Sequence, residues 1–142
     1  MRKIWVVAKA FFIVLSSLGC AAFALFLAHA PAFEIGQGYE LYCGASSSAL
    51  VVRTDNPACD KILLGGVKGE SVRYRGDCAR ELISRYRADV LFMEEAGGVT
   101  NYYCHSPLFG AGVAIGGYVV NLHLAVGEEQ TAAGTPLIFG GF

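Results

Sequence analysis

The stretch "YVVNLHLAV", residues 118–126, decides the fold because its side chains alternate in character from one residue to the next. Since successive side chains of a β-strand point to opposite faces of a sheet, it predicts a strand with one apolar and one mixed face. Such strands are typical of antiparallel sheets that helices cover on one side. The apolar side comprises Tyr118, Val120, Leu122, Leu124 and Val126, and the mixed side comprises Val119, Asn121, His123 and Ala125.

Glycine pairs separate this strand from its neighbours. Gly97-Gly98 and Gly116-Gly117 each stand between two strand-forming runs, and glycine supplies the positive φ that tight hairpins need. We therefore predict consecutive hairpins. Because Pro136 cannot donate a hydrogen bond to a sheet, we expect the last strand to lie at a sheet edge or Pro136 to lie at a bulge next to Gly134. The predicted strands are residues 39–44, 48–54, 70–75, 89–95, 99–106, 112–116, 118–126 and 131–139.

Two helices interrupt the strands. The main helix is predicted over residues 77–87 with Asp77 as its N-cap, since apolar residues recur there at helical spacing. A shorter helix is predicted over residues 57–64, between an Asn56 cap and a stop at Gly65. The fold class is therefore α+β, an antiparallel sheet with both helices packed on one face. The apolar stripe of the main helix is Ala79, Leu82, Ile83 and Tyr86.

The N-terminal segment predicts entry into a membrane. Residues 10–30 contain no Asp, Glu, Lys or Arg, and no acidic residue precedes Glu34. A basic start followed by a long apolar run and small residues is typical of a secretory signal, and about 20 apolar residues match the ~30 Å bilayer core. We divide the chain into a signal peptide or N-terminal membrane anchor, residues 1–32, and an exported α+β domain, residues 33–142. The basic residues are Arg2, Lys3 and Lys9.

Cleavage and retention of this segment both stay open. Ala28-His29-Ala30 has the small-x-small form of a cleavage site, but Pro31 follows it. The apolar run also exceeds the roughly 7 to 15 residues of a cleaved signal, which favours an anchor. In either form the basic residues stay in the cytoplasm and the domain is extracytoplasmic, membrane-anchored with its N-terminus inside or secreted. The membrane is a partner through residues 10–30 if the segment is retained.

The exported part is acidic. Without residues 1–32 it keeps 8 Lys and Arg against 12 Asp and Glu, a net charge of −4. Phosphate neutralisation supplies most of the affinity of nucleic-acid-binding proteins, so no nucleic-acid partner is expected.

Four cysteines fall in the exported part. An even number outside the cell permits disulfides in three connectivities, and pairing by like location gives Cys43 with Cys104 and Cys59 with Cys78. The alternative is that the four are free, buried small side chains. No C-x-x-C spacing occurs, so neither a metal site nor a cofactor is predicted.

Aromatic and polar residues of the sheet are the candidate binding surface. Tyr102 and Tyr103 must stand on opposite faces, so one leaves the helix-covered side. We expect this tyrosine, Asn121 and His123 to form an open sheet face. This face would bind a protein, peptide or glycan partner of the cell envelope.

The rival hypothesis is a cell-wall-acting envelope enzyme. It would use Glu94 or Glu95 together with His105 and His123. A carboxylate and a histidine within about 4 to 6 Å of each other would favour it.

The C-terminal half resembles a known family. "SRYRADVLFMEEAGGVTNYYCHSPL" (84–108), "GGYVVNLHLAV" (116–126) and "AGTPLIFGGF" (133–142) resemble the YwmB-like family of spore-forming Firmicutes, whose members are exported and of unknown function. The resemblance implies a curved antiparallel sheet with helices on one face, as in TATA-box-binding protein, and a possible link to sporulation. It implies no catalytic residues. The matching residues are Tyr102, Tyr103, Ser106, Pro107, Asn121, Gly134, Thr135 and Pro136.

Overall fold

A computed structural model describes residues 2–44 and 50–139, and it divides the chain into two compact units, residues 1–30 and 31–142. The first unit is one helix, α1, and its stretch Ile4–Ala28 is long and apolar enough to cross a membrane, with a mean hydropathy of 2.4. At 1.5 Å per residue this stretch is about 37 Å long, against ~30 Å for the hydrocarbon core of a bilayer. Its length and composition suit a signal peptide or a membrane anchor.

The second unit is an α+β domain, as predicted. Seven strands form one antiparallel sheet in the order β2-β1-β3-β9-β8-β5-β4, and β6 and β7 form a separate hairpin. The elements are α1 (Arg2–Ala28), β1 (Gln37–Cys43), β2 (Leu50–Thr54), α2 (Pro57–Leu64), β3 (Val67–Arg75), α3 (Ala79–Arg85), β4 (Asp89–Ala96), β5 (Val99–His105), β6 (Val113–Ile115), β7 (Tyr118–Val120), β8 (Leu122–Val126) and β9 (Gln130–Thr135). Residues 48 and 49 of the second predicted strand lie outside the described residues.

Both short helices lie on one face of the sheet, which we call the helix face. Lys61 of α2 forms an ion pair with Glu70 of β3, and Glu70 shares its face with Val72 because the two residues are two positions apart on one strand. Leu82 of α3 belongs to the same buried cluster as Val72. The prediction of helices on a single face is therefore confirmed.

The buried carboxylate of Glu70 also holds the start of the domain in place. One of its oxygens accepts hydrogen bonds from the backbone N–H groups of Ala32 (2.6 Å) and Phe33 (3.1 Å). The Phe33 ring is fully buried and meets the Tyr86 ring edge to face, with 5.6 Å between ring centroids. The chain therefore joins the core of the domain at Phe33.

The main helix is shorter than predicted. It runs from Ala79 to Arg85, and the N-cap position belongs to Cys78. The Asp77 carboxylate still accepts a hydrogen bond from the Ala79 N–H (3.0 Å), so it satisfies one of the free donors at this end. Arg87 adopts a φ of 49°, outside the helical range, just after the helix has ended.

The short helix has the predicted bounds but not the predicted cap. Pro57 occupies its first turn, whereas the Asn56 side chain makes no capping hydrogen bond. Gly65 ends the helix with a φ of 57°, a conformation that favours glycine. The expectation of an Asn56 cap is thus wrong and that of a Gly65 stop is confirmed.

The last strand does not lie at an edge, so that prediction is wrong. β9 is the central strand, paired with β3 on one side and β8 on the other. It ends at Thr135, and the chain leaves the sheet through a cis Thr135–Pro136 bond. Pro136 is therefore outside the ladder, where its missing N–H costs nothing.

Residues 118–126 do not form one strand. They divide at Asn121 into β7, which pairs with β6, and β8, which pairs with β5 and β9. The Asn121 side chain is hydrogen-bonded to the loop that follows β5. The backbone N–H of Asn121 donates to the Cys104 carbonyl (3.1 Å). Because Asn121 is hydrogen-bonded to β5 and to the loop that follows it, it interrupts the strand between β7 and β8.

Candidate functional site

One line of residues crosses all seven strands on the sheet face opposite the helices, which we call the aromatic face. Directly paired residues of an antiparallel sheet share a face, so the strand register defines the line. It carries rings at the β4 end, a glycine at the centre and an ion pair at the β2 end. In strand order from β4 to β2, the line consists of Phe92, Tyr103, His123, Gly134, Ser71, Glu40 and Arg53.

The rings form a continuous stack, the aromatic row, made of Tyr118, Phe92, Tyr103 and His123. Phe92 and Tyr103 stack with 4.4 Å between centroids and 15° between planes, and Tyr103 and His123 stack at 4.6 Å and 9°. Tyr118 from the β6–β7 hairpin adds a tilted contact with Phe92 at 5.9 Å. Because each ring leans on the next, the row presents mainly ring edges to solvent, and its exposed end is Tyr118, 49% exposed.

His123, at the inner end of the row, is a buried and neutral histidine. Its Nδ1 accepts a hydrogen bond from the Ile138 N–H (3.3 Å), so its Nε2 carries the proton and donates to Asn101 Oδ1 (3.1 Å). Burial lowers the pKa of His123 to about 4. Both ring nitrogens are therefore occupied, and the ring is uncharged near neutral pH.

Glu94 lies beside the row. Its carboxylate accepts a hydrogen bond from the Tyr103 hydroxyl (3.2 Å), and it is paired across the strands with Asn101. Burial, and to a lesser degree the Glu94 charge, raises the pKa of Tyr103, so the hydroxyl stays protonated and keeps donating. This contact fixes the tyrosine at the acidic end of β4.

At the other end of the line a buried carboxylate is neutralised by two arginines. Glu40 is 4% exposed, and its Oε1 lies 2.9 Å from Arg53 Nε and 3.6 Å from Arg73 Nη2. Its other oxygen accepts from the Tyr42 hydroxyl (3.2 Å), which also lies 3.3 Å from Ser71 Oγ. Buried charges are stable only when paired and hydrogen-bonded in this manner.

The centre of the aromatic face is covered by residues 136–139, which we call the C-terminal segment. Ile138 bonds to His123, and the Phe139 ring lies 4.9 Å from the Tyr42 ring. A Cβ atom at Gly134 would come within 2.8 Å of the Leu137 backbone. The missing side chain of Gly134 therefore makes the room that the C-terminal segment occupies.

The predicted binding residues are divided between the two faces. Tyr102 packs against the core cluster of the helix face, and Tyr103 lies in the aromatic row, so their opposite orientation is confirmed. The expected open position of Asn121 and His123 is wrong, because they are only 1% and 7% exposed. Asn121 instead holds the loop after β5, through bonds between its amide group and the Ser106 N–H (2.7 Å) and carbonyl (2.8 Å).

The residues of the rival enzyme hypothesis do not converge. Glu95 pairs with Thr100 on the helix face, whereas Glu94 lies on the aromatic face. His105 shares that face with Glu94 but stands four residues along β5 from the partner of Glu94, about 13 Å away at 3.3 Å per residue. His123 shares the aromatic face with Glu94, but its ring nitrogens are hydrogen-bonded to the Asn101 amide oxygen and to the Ile138 backbone N–H.

The cysteines are free thiols. Cys43 in β1 and Cys104 in β5 are separated by three strands, about 19 Å at 4.8 Å per strand, whereas a disulfide needs Cα atoms within about 7 Å. The proposed Cys43–Cys104 pair is therefore wrong, and Cys59 and Cys78 are likewise unbridged. Burial raises the pKa of Cys104 to about 11, so this thiol stays protonated. Among residues 2–44 and 50–139, no group of three His, Cys, Asp or Glu is placed to hold a metal ion.

Phe92 is the ring that sequence reasoning missed. A register shift between Val90 and Phe92 in the β4–β5 pairing breaks the simple alternation of this strand. The spacing of Phe92 and Glu94, two residues apart, is the signal that puts both on one face.

Comparison with known proteins identifies no relative of this chain. No protein-family model, curated protein or solved structure matches the chain. The resemblance to the YwmB-like family stays a prediction.

Proposed function

We propose that the chain is a non-enzymatic, extracytoplasmic binding protein that recognises a protein or peptide partner of the cell envelope. The observation that carries this proposal is the aromatic row, whose outer end is the exposed Tyr118 ring in contact with the partly exposed Phe92 ring. Tyr and Phe rings supply large contact areas at little cost in conformational entropy, and aromatic residues are enriched at the cores of protein interfaces.

The stacking favours a polypeptide over a glycan. The flat sides of the Tyr103 ring face Phe92 and His123, so they are not free to lie against a sugar ring. Ring edges, the Glu94 carboxylate and the exposed side of Tyr118 remain for a partner. These groups suit side chains and backbone amides.

The location outside the cytoplasm is part of the same proposal. The apolar helix α1 and the basic residues at its start support insertion with the N-terminus inside. A retained anchor is preferred because the apolar stretch is longer than a cleaved signal. Membership of the YwmB-like family, with its link to sporulation, is proposed on the matching residues alone.

A photo-crosslinking experiment tests the binding face. A benzophenone amino acid replaces Tyr118 in the full chain, and the control places it at Leu63 of α2, which is 80% exposed and lies away from the row. In native membranes we expect a discrete adduct from position 118 that Phe92→Ser weakens several-fold. Adducts that are the same from both positions, or that ignore Phe92→Ser in a folded protein, would contradict the proposal.

A further inference from the structure

The edge strand β4 offers unpaired backbone groups beside the aromatic row. It pairs with β5 on one side and with no other described strand on its outer side. It is eight residues long, whereas β2 at the opposite edge has five. Edge strands in stable proteins are often protected by charged side chains, Pro or a β-bulge. In β4 the register shift between Val90 and Phe92 and the acidic residues serve this role, and the strand contains no Lys or Pro.

Exposed apolar side chains accompany this edge on both faces of the sheet. Met93, 55% exposed, lies on the helix face because it pairs with Tyr102, and Val90 is 42% exposed. Phe92 lies on the aromatic face beside Tyr118. From Phe92 to Ala96 the pairing with β5 is regular, so the backbone groups on the outer side of this part of β4 alternate without interruption.

The charges on β4 itself and in the chain that follows it are of one sign. From residue 88 to residue 142 the chain contains no Lys or Arg. Its acidic residues in this range are Asp89, Glu94, Glu95, Glu128 and Glu129. Glu94 and Glu95 lie at the end of β4 that meets the β4–β5 turn, and the β8–β9 turn with Glu128 and Glu129 is at the same end of the sheet, since Val126 pairs with Thr100.

A second copy of the chain fits this edge poorly. Antiparallel pairing of β4 with itself would place Glu94 and Glu95 opposite Leu91 and Val90 of the other copy, so no cation would meet the carboxylates, because β4 contains no Lys or Arg. A basic segment suits this edge better, because its charge is complementary to the carboxylates of β4. Complementary charge speeds association and contributes to specificity.

We propose that β4 binds an extended, cationic segment of a partner protein, which adds to the sheet as an eighth strand. This inference rests on the proposed binding function and names its partner class. Backbone hydrogen bonds to the β4 edge supply affinity, and side chains on alternate faces supply specificity.

The register of β4 predicts the sequence of the segment. Glu95 and Glu94 stand on opposite faces, and Met93 and Phe92 follow in the same alternation. An added antiparallel strand therefore carries two consecutive basic residues followed by two apolar ones. The basic pair meets the two carboxylates, and the apolar pair covers Met93 and Phe92.

The test measures peptide binding to the full chain in nanodiscs of neutral phosphatidylcholine. A labelled peptide with the order basic, basic, apolar, apolar, such as Thr-Lys-Arg-Val-Ile-Thr, is titrated by fluorescence anisotropy, and empty nanodiscs give the background. We expect saturable binding that the double variant E94K/E95K weakens by about tenfold or more. The same variant should gain affinity for a peptide with Glu-Glu in place of Lys-Arg.

Two controls separate strand addition from general attraction. The double variant E128K/E129K changes the net charge equally at the same end of the sheet but away from β4, and should keep most of the affinity. A peptide with N-methylated backbone amides keeps its charges but cannot form the ladder, and should bind far more weakly.

Three results would overturn the inference. These are equal weakening by both double variants, unchanged binding of the methylated peptide, or a dimer of the full chain that E94K/E95K dissociates. If no peptide binds while the Tyr118 crosslink still depends on Phe92, the edge proposal alone fails and the binding face stands.

Discussion

At the scale of single residues, hydrogen bonds hold two polar side chains, Asn121 and His123, in buried positions. Asn121 and His123 belong to the run 118–126, in which alternation predicts an exposed mixed face, yet both are buried and hydrogen-bonded. A buried polar group costs little when its hydrogen bonds are made. Burial of His123 has a cost at low pH, because burial disfavours the charged form of the imidazole.

Replacing His123 tests this cost through the pH dependence of stability. The unfolded histidine binds a proton near pH 6.5 and the folded one only near pH 4, so stability falls as the pH drops through this window. A shift of this size corresponds to about 3 kcal/mol at pH 4. Urea unfolding of the detergent-solubilised full chain, followed by circular dichroism, should show wild type losing about that much more stability than His123→Gln between pH 7 and pH 4.

The comparison with His123→Gln removes the contribution of carboxylates, which titrate in both proteins. Equal pH dependence in wild type and variant would show that folding does not lower the pKa of His123. Well above pH 6.5, from about pH 7.5 upward, the difference between the two proteins should be constant, since His123 is neutral there in both folded and unfolded chains.

The positions of these residues show what a single strand can and cannot predict. Alternation placed Tyr102 and Tyr103 on opposite faces correctly, because that relation depends only on strand geometry. It did not predict that the mixed face would be covered, because the cover over His123 comes from Ile138 through a contact 15 residues away. The alternation of residues along a strand therefore predicts which face of the sheet a side chain is on. It does not predict whether another segment of the chain covers that side chain.

At the scale of elements, the centre of the sheet depends on the C-terminal segment. Strand β9 occupies the middle position, and the segment that follows it folds back over the same strand at Gly134. The turn signals at Gly97-Gly98 and Gly116-Gly117 predicted two hairpins of consecutive strands, which the structure contains as β4–β5 and β6–β7, but no turn signal predicted the pairing of β3 with β9. Pairing between distant strands follows from packing in the whole domain, so no local signal marks it.

Substituting Gly134 tests the role of the C-terminal segment. An alanine Cβ would overlap Leu137 backbone atoms and the Ile138 side chain, at 2.7 to 2.8 Å, so Gly134→Ala should displace the segment. The lost contacts of a half-buried Ile138 predict a decrease of about 2 kcal/mol in unfolding free energy. Because this is less than the ~5 to 15 kcal/mol of a typical domain, the protein should stay folded.

The matched control is Gly110→Ala, whose Cβ would meet no atom within 4 Å. Deleting residues 137–142 should cost about as much as Gly134→Ala, and combining both changes should cost no more than either alone, since the same contacts are lost. Additive losses in urea unfolding would show that Gly134 and the segment act independently.

At the scale of the whole molecule, charge divides the sheet into two halves. Strands β4, β5, β8 and β9 carry no Lys or Arg, whereas Arg53, Arg73, Arg75 and Lys68 lie on β2 and β3. The overall excess of acid was evident from composition, but its concentration at β4 follows from the strand order, which only the structure supplies. This polarity gives a cationic partner a preferred direction of approach.

The same reasoning from charge applies to the N-terminal helix and predicts the orientation of the chain. Arg2, Lys3 and Lys9 are at the start of the apolar stretch, and the first acidic residue is Glu34. Since basic residues next to a membrane segment stay in the cytoplasm, a C-terminal reporter that is active only outside the cytoplasm should be active. The charge variant R2E/K3E/K9E should reduce that activity several-fold, and a reporter active only in the cytoplasm should respond oppositely. A wild-type fusion active only in the cytoplasm would place the domain, and any partner of β4, inside the cell.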